Sequence, residues 1–452
     1  MSGTVLIMTY EFPPAGGSGV QRVAKFARYL PEFGWRPVVL TSDFQRRRGR
    51  LADDTLLADV VDVPAVRLPA RSVSALVARL LTPVKKARAA PRRGRSAIGA
   101  TAAGPAPARP GGEPKAPPVS ARIALHFSLD DASWWARYAV GRGVALGRQH
   151  DVSAVLASGP PFSVLVAGEA VARELGVPLV ADMRDAWRDN PLAWYPSAAA
   201  RRRALQAELS VLASAATVLM VSPGTAKEAI ELGARDVRVL SNGFDSTDIV
   251  PWAPQEEGPL RLVFMGQMNT RLTEPWDLFR ALARVTAERP VREVRLEFVG
   301  DADEHIRAAA EGLGISSMVE LSGYLPHAEA IAHVARSDVG VLIVADCFGA
   351  RGVVTGKLFE YFAVGLPVLA LAPLQGDAAQ LVAANDAGWT VASHDVDAIA
   401  ARIVALADDK RRGVVHRGAS PGAVAKYERR ALTGQLAAIL DGVVAPSAGS
   451  DA

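Results

Sequence analysis

Short apolar runs alternate with helical patterns along this chain, and that alternation constrains the fold more than any other feature. In the first half, five runs predict buried strands, at residues 4–10, 37–41, 154–158, 178–182 and 217–222. Helical patterns such as VQRVAKFARYLPEFG and SVLVAGEAVARELG lie between them, the second ending on a C-cap glycine. Repeated strand–helix–strand units predict a parallel sheet that is covered by helices on both faces.

A second series of strands starts after the Pro- and Glu-containing stretch PWAPQEEGP at 251–259. It comprises RLVFMG, RLEFVG, VELSG, VGVLIV and LPVLALA, again separated by helical patterns. A chain of 452 residues is also too long for one ordinary hydrophobic core. The sequence therefore predicts an α/β protein with two doubly wound, Rossmann-like domains, at 1–250 and 251–422, followed by a helix at 423–444.

The positive charge of the chain is concentrated in one segment, which we predict to be a disordered insertion. Residues 82–120 are rich in Pro, Ala, Gly and Arg, and they contain eight Lys or Arg against one Glu. Their net charge of +7 leaves −3 for the rest of a chain whose total is +4. The segment either tethers the protein to anionic lipid head groups or is only a solvated loop. Because the remainder lacks a basic surface, we expect no nucleic-acid partner.

Cysteine usage and hydropathy favour a cytoplasmic protein. Cys347 is the single cysteine, so no intramolecular disulfide can form, which fits a reducing compartment. The N-terminal apolar run predicts a buried strand and not a signal peptide, because no basic residues precede it. No apolar stretch reaches the roughly 18 residues of a membrane span. We therefore expect a cytoplasmic location, either free or peripheral on the inner face of the membrane.

A glycine-rich turn follows the first strand and leads into a helix. Gly16, Gly17 and Gly19 allow the backbone to come close to a ligand, and the helix N-terminus offers free N–H groups to an anion. The turn is not a dinucleotide fingerprint, because Arg22 occupies the position of the third glycine. A purely structural turn is an equal alternative.

A second turn, GVVTGK at 352–357, leads into a helix predicted to start near Thr355. It is one residue short of a Walker A loop, and Leu358 replaces the Mg²⁺-binding hydroxyl, which disfavours an NTPase. Lys357 in the first turn opposes the helix dipole, a local conflict that an anionic ligand would relieve. Glu360 lies on the same helix face, where the pair either binds phosphate and ribose or forms a surface salt bridge.

Charged residues follow directly on a predicted strand in PLVADMRDAWRDNP, at the edge where open α/β sheets bind ligands. Asp182, Arg184 and Asp185 are candidate catalytic groups there, and the alternative is an Asp–Arg pair that holds the loop. The stretch DDASWWARY at 130–138 predicts either a helix cap with core aromatics or a wall that stacks on a sugar.

Metal-dependent and serine hydrolases have no support in the sequence. Asp301 and Asp303 in GDADEH follow a predicted strand, where acidic residues more often cap a helix than bind a metal. The histidines form no H-x-x-x-H pair, and no G-x-S-x-G stretch is present. We therefore expect no metal site.

Taken together, these segments resemble a retaining GT-B glycosyltransferase of family 4 (group 1), a large family that uses nucleotide sugars. The resemblance rests on YEFPPAGGSGVQRVAKFARYLPEFGW, SGPPF and ADMRDAW, and then on VSPG, LSNGFD, FMG and TGKLFEYFAVGLPVLAL. It covers nearly the whole chain except 82–120 and the tail. It implies two domains facing across a cleft, an acceptor-side domain first and a nucleotide-sugar-binding domain second, with the helix at 423–444 crossing back to the first.

The resemblance also implies roles for particular residues. Glu360 would hydrogen-bond the ribose of a UDP-, GDP- or TDP-linked sugar, and no cofactor beyond this co-substrate is implied. Arg271 and Lys357 would neutralise the diphosphate. The candidate catalytic residues are thus Asp182, Arg184, Asp185, Arg271 and Lys357. The candidate donor-binding residues are Gly16, Gly17, Gly266, Arg271, Tyr324, Leu325, Thr355, Gly356, Lys357 and Glu360.

The sequence departs from the family pattern at three positions. The first Glu of the signature Glu–seven residues–Glu falls at Gly352, so a sugar-contacting carboxylate is missing. Gln267 follows the first strand of the second domain, where many members have a basic pair, and Arg184 stands where many have a sugar-facing His. The identity of the donor sugar is therefore left open.

The implied function is metal-independent transfer of a sugar, with retention, to an envelope glycan, a lipid or a secondary metabolite. Charge that grows on the β-phosphate would be stabilised by cations and helix N–H groups. We favour same-face attack, which needs no protein nucleophile, while Asp182 and Asp185 leave a covalent intermediate as an alternative. Two further alternatives on the same fold are a nucleotide-sugar 2-epimerase and a non-catalytic nucleotide-sugar-binding protein.

Overall fold

The computed structural model describes residues 3–43, 53–70, 72–88, 118–268, 272–288, 293–300 and 304–445. These residues form two α/β domains, each built on a parallel sheet with helices on both faces. The predicted pair of doubly wound domains is therefore confirmed.

The first sheet has seven strands in the order β3-β2-β1-β4-β5-β6-β7. They are β1 (Gly3–Thr9), β2 (Trp35–Ser42), β3 (Ala65–Leu68), β4 (Ala154–Gly159), β5 (Leu179–Met183), β6 (Thr217–Met220) and β7 (Val237–Val239). The helices of this half are α1 (Ser18–Tyr29), α2 (Val73–Arg88), α3 (Val119–Phe127), α4 (Ser133–Gln149), α5 (Ser163–Leu175), α6 (Ala198–Ser214) and α7 (Pro223–Glu231). The strand order reverses between β1 and β4, and ligands of such sheets bind at the carboxyl ends near that point.

The second sheet has six strands in the order β10-β9-β8-β11-β12-β13. They are β8 (Leu260–Met265), β9 (Val294–Val299), β10 (Val319–Gly323), β11 (Val339–Ile343), β12 (Val368–Leu371) and β13 (Gly388–Val391). The helices are α8 (Trp276–Glu288), α9 (Glu304–Gly312), α10 (His327–Ala335), α11 (Gly356–Val364), α12 (Asp377–Ala384), α13 (Val396–Arg411), α14 (Pro421–Val424) and α15 (Arg429–Val444). Here the order reverses between β8 and β11, which places the start of α11 near the switch point.

The predicted boundaries of the basic insertion need correction. Helix α2 continues to Arg88, so the insertion predicted to begin at residue 82 starts inside a helix, and α3 has begun by Val119. The intervening residues 89–117 lie outside the described part of the chain. Within that part, no helix combines the length and the apolar character needed to span a bilayer.

The last helix returns to the first domain. The chain crosses between domains near Phe244 and crosses back beside it, because Phe244 N–H donates to Tyr427 O and Arg429 N–H donates to Phe244 O. Leu432, Leu436 and Leu440 recur at the four-residue spacing of one helix face, so they are buried together against the first sheet. Helix α15 thus belongs to the core of the first domain.

We predict that Leu436→Ala lowers the free energy of unfolding by about 2–5 kcal/mol, because it removes a fully buried side chain and leaves a cavity. Gln435→Ala, at the exposed neighbouring position, is the control and should change stability by less than about 0.5 kcal/mol. Chemical denaturation measures both. Equal effects of the two substitutions would show that α15 does not pack on the first domain as described.

Candidate active site between the two domains

The N-terminus of α11 has no side-chain cap. Its N-cap residue, Thr355, makes no side-chain capping hydrogen bond, and its Oγ1 is buried without a partner among the described residues. The first N–H groups of a helix point outward and carry partial positive charge. Helix α11 is fixed in place because Leu358, Phe359 and Phe362 are buried in the core of the second domain.

Lys357 stands in the first turn of α11, next to the end of β8. Its Nζ lies 3.5 Å from the centre of the Phe264 ring, and a Cβ on Gly266 would come within 3.4 Å of that nitrogen. Gly266 has a φ of +115°, so a glycine suits the position on conformational as well as steric grounds. Burial lowers the pKa of Lys357 to about 7, although Glu360 opposes the shift. Lys357 is thus a half-buried cation that an anionic ligand would stabilise.

Glu360 is bonded to a residue that the sequence analysis did not single out. Its Oε1 lies 2.8 Å from Nε2 of His327, the first residue of α10, and both side chains are largely buried. Burial lowers the pKa of His327, but the hydrogen bond and charge of Glu360 outweigh it, so the net shift is upward. His327 therefore holds one oxygen of the Glu360 carboxylate in place.

The glycine turn of the first domain lies close to the loop of Tyr324. Gly17 has a φ of +110° and no atom near its Cα hydrogen, so its backbone is open to a ligand. Asp53 donates its N–H to Pro14 O in this turn. Burial and then the charge of Asp53, a residue of the first domain, raise the pKa of Tyr324. Tyr324 is exposed, whereas Leu325 packs against the core.

Asp182 is not available to a substrate in this structure. Its carboxylate is fully buried. It accepts hydrogen bonds from Nε and Nη2 of Arg22, and the Nη2 contact is 2.8 Å long. It accepts another from Ser158 Oγ at 2.7 Å. Arg22 also donates to the carbonyls of Leu240 and Ser241. This pair ties α1 to β5 and to the chain after β7, so Asp182 is a positioning residue.

Arg184 and Asp185 occupy different environments. Arg184 donates to the carbonyls of Gly159 and Pro160 and lies against Gly19, where a Cβ would overlap its guanidinium. It therefore braces two turns at the sheet edge. Asp185 is exposed beside it. Of the three candidate catalytic groups after β5, Asp182 is buried, Arg184 is half-buried and Asp185 is exposed.

Gly352, which stands in the place of the family's first Glu, packs against the first domain. Its carbonyl accepts a hydrogen bond from Ser222 Oγ at 2.8 Å, and a Cβ there would lie 2.9 Å from Thr225 Cγ2. The neighbouring contact is from Gly224 N–H to Asp377 Oδ2, at 2.7 Å. A larger residue at 352 would therefore push against α7, so the local packing requires the glycine.

Other predicted features resolve as structure or fall outside the described residues. Asp130 accepts hydrogen bonds from the Ser163 N–H and hydroxyl at the start of α5, and Trp135 is fully buried, so these residues of DDASWWARY make structural contacts. Arg271 lies outside the described residues, as do Asp301 and Asp303. Among the described residues no cluster of His, Cys, Asp or Glu has the arrangement of a metal site.

With this geometry in place, similarity to known proteins can be stated. Residues 259–409 match the family described as glycosyl transferases group 1, so the second domain is a domain of that type. Two similar proteins bear the name colanic acid biosynthesis glycosyltransferase WcaL. The one from Salmonella typhimurium is 26% identical over 214 residues, which make up 45% of this chain and 50% of that protein. The one from Escherichia coli is 28% identical over 180 residues, which make up 38% of this chain and 42% of that protein. The chain spans about half the length of these relatives.

Solved structures share the architecture over almost the whole chain. The lipopolysaccharide outer core galactosyltransferase WaaB has a TM-score of 0.57 at 12% identity, covering 97% of this chain and 99% of that one. A protein named as a UDP-N-acetylglucosamine 2-epimerase from Listeria monocytogenes has a TM-score of 0.56 at 11% identity, covering 97% and 96%. These likenesses show the GT-B fold, and the fold alone does not separate transfer from epimerisation.

We predict that Asp182→Ala lowers the free energy of unfolding by about 3–5 kcal/mol, because it leaves Arg22 buried without its partner. The matched control is Asp185→Ala, an exposed carboxylate three residues away, which should cost less than about 0.5 kcal/mol. Denaturant unfolding distinguishes the two. A fully stable Asp182→Ala variant that has lost all turnover would instead make Asp182 a chemical participant.

Proposed function

We propose that this protein is a retaining glycosyltransferase that moves a sugar from a nucleoside diphosphate sugar to an acceptor. The observation that carries the proposal is the uncapped start of α11, with Lys357 and Glu360 on it. Free N–H groups and a cation suit a diphosphate, and a held carboxylate suits ribose hydroxyls. The group 1 glycosyl transferase match of residues 259–409 supports the same chemistry.

The leaving diphosphate sets the main task of the site. Negative charge grows on the β-phosphate as the glycosidic bond breaks, and preorganised donors aimed at it lower the barrier. Lys357 and the N–H groups of Gly356 and its neighbours supply such donors from α11, and the amides of Gly16 and Gly17 supply them from the first domain. In this proposal no metal ion is needed, so a chelator leaves the rate unchanged.

Retention follows from attack on the same face that the diphosphate leaves, with the donor phosphate accepting the proton of the acceptor hydroxyl. The carboxylates at the described part of the site favour this route. Asp182 is buried against Arg22, and Glu360 is bonded to His327. A covalent route would depend on Asp185, the exposed carboxylate at this sheet edge.

The acceptor we propose is an envelope glycan or lipid, on the strength of the relatives named for colanic acid biosynthesis. Such an acceptor would place the enzyme in the cytoplasm at the inner face of the membrane, where the basic segment between α2 and α3 would contact anionic lipid.

Calorimetric titration with UDP, GDP, TDP and ADP tests the donor site. We expect one nucleotide to bind selectively, and Glu360→Ala to weaken its binding about 10- to 100-fold, because a charge-assisted bond to the ribose is lost. Glu329→Ala, an exposed carboxylate on α10, is the control and should bind normally. A wild-type protein that binds none of the four would overturn the proposed donor.

The transfer step itself is tested with the selected nucleotide sugar and extracted envelope acceptors. NMR of the product should show the anomeric configuration of the donor, and Asp185→Asn should keep measurable turnover, because same-face attack uses no protein nucleophile. A covalent glycosyl adduct on Asp185 in mass spectrometry would contradict the mechanism. Epimerised donor without acceptor would indicate an epimerase, and binding without any turnover a non-catalytic protein.

Donor affinity should depend on the charge of Lys357. Burial lowers the pKa of Lys357 to about 7, so free protein loses this proton as the pH rises above that value, while a bound diphosphate raises the pKa again. Affinity for the nucleotide sugar should therefore fall by up to about tenfold per pH unit between about pH 7 and 9. Lys357→Arg stays charged and should remove this slope. An unchanged slope in Lys357→Arg would assign it to another group.

A further inference from the structure

We propose that Arg429 is the second cation of the donor site and that its guanidinium binds the diphosphate together with Lys357. This inference rests on the proposed function and deepens it. It assigns a binding role to the first residue of α15, which neither the sequence motifs nor the matched region 259–409 includes.

Arg429 is a buried cation whose charge has no partner. Only 1% of its surface is exposed, and its Nη1 has no hydrogen-bond partner among the described residues. Its backbone is fixed, because its N–H donates to Phe244 O at 2.7 Å and its carbonyl accepts from Thr433 Oγ1 at 2.7 Å. A buried charge without a partner strongly destabilises the folded protein. An anionic ligand bound beside the charge would offset that cost.

The acidic groups near Arg429 are each bound to another residue. Those close enough to raise its pKa are Glu360, Asp182 and Asp245. Glu360 is bonded to His327 at 2.8 Å, Asp182 to Arg22 at 2.8 Å and Asp245 to Lys25 at 2.7 Å. Burial and then the charge of Arg22 lower the pKa of Arg429 to about 9, so these acids do not compensate its environment.

Both cations belong to elements that meet at Glu360. Lys357 is one turn before it on α11, and Arg429 opens α15 two residues after Tyr427, whose ring lies 5.1 Å from that of Phe359, the neighbour of Glu360. A nucleoside diphosphate sugar carries two negative charges, on the two phosphates that adjoin the ribose. If Glu360 holds the ribose, the diphosphate lies beside it, where two unmatched cations neutralise it. Arginine suits this role because its planar guanidinium can bind two phosphate oxygens at once.

The position of Arg429 also links binding to domain movement. It stands where the chain crosses back to the first domain, beside Phe244 on the outgoing crossing. Because only 1% of Arg429 is exposed, the proposal requires that the chain crossings shift when a diphosphate binds. Lys357 belongs to the second domain, so a diphosphate held by both cations would join the two.

The test compares Arg429→Met with Arg430→Met, its exposed neighbour, whose guanidinium contacts Glu32 on the surface. Calorimetry with UDP and GDP, with uridine and guanosine, and with pyrophosphate measures the binding of each variant. We expect Arg429→Met to bind the diphosphates about 10- to 100-fold more weakly and the nucleosides normally, with Arg430→Met unchanged. The thermal midpoint of Arg429→Met should equal or exceed that of wild type, because an uncompensated buried charge is removed.

Equal losses for nucleoside and diphosphate, or a lowered midpoint with normal diphosphate binding, would make Arg429 purely structural. A wild type that binds neither nucleoside diphosphate nor pyrophosphate would overturn both this inference and the proposed function, whereas normal binding by Arg429→Met overturns this inference alone. If Arg429→Met does not fold, Arg429→Lys decides, because it keeps the buried charge but loses the planar pair of donors: the diphosphates should bind more weakly and the nucleosides normally. Normal diphosphate binding by a folded Arg429→Lys would contradict the assignment.

Discussion

A buried ion pair between Arg22 and Asp182 holds the base of the cleft together. Both side chains are fully buried, and Arg22 reaches two further carbonyls after β7. One guanidinium thus joins the first helix, the strand that ends in the Arg184 turn, and the segment that leads to the second domain. Removal of either partner would leave the other charge buried and unpaired. The geometry of all three elements therefore depends on this contact.

Around that fixed base, the distribution of charge explains what the cleft can hold. In the described part of the chain, the acids near its floor have cationic or histidine partners, while Lys357 and Arg429 form no ion pair with an acid. Burial lowers the pKa of both cations, to about 7 and about 9. A protein that keeps two cations under such conditions, beside an uncapped helix N-terminus, is preorganised for a small dianionic group. The same preorganisation suits a leaving diphosphate.

The sequence predicted the fold well because strands buried on both faces are apolar throughout, as in β1, β4 and β12. It missed β3, β7 and β13, short edge strands whose side chains are half exposed and so give no apolar run. Lys357 and Glu360 were predictable because both lie on one turn. Arg22 was visible only as a misfit in a glycine motif, since its partner is 160 residues away in sequence. His327 and Arg429 depend on contacts between distant elements, which no local pattern encodes.

The most direct test of this account is a crystal structure of the protein with the nucleoside diphosphate that it selects. We expect the ribose hydroxyls on the free oxygen of Glu360, and phosphate oxygens within about 2.7–3.2 Å of Lys357 Nζ and of the first N–H groups of α11. The His327–Glu360 bond should persist in that complex. A nucleotide bound elsewhere, with α11 left unoccupied, would contradict the donor site and the glycosyltransferase function argued from it.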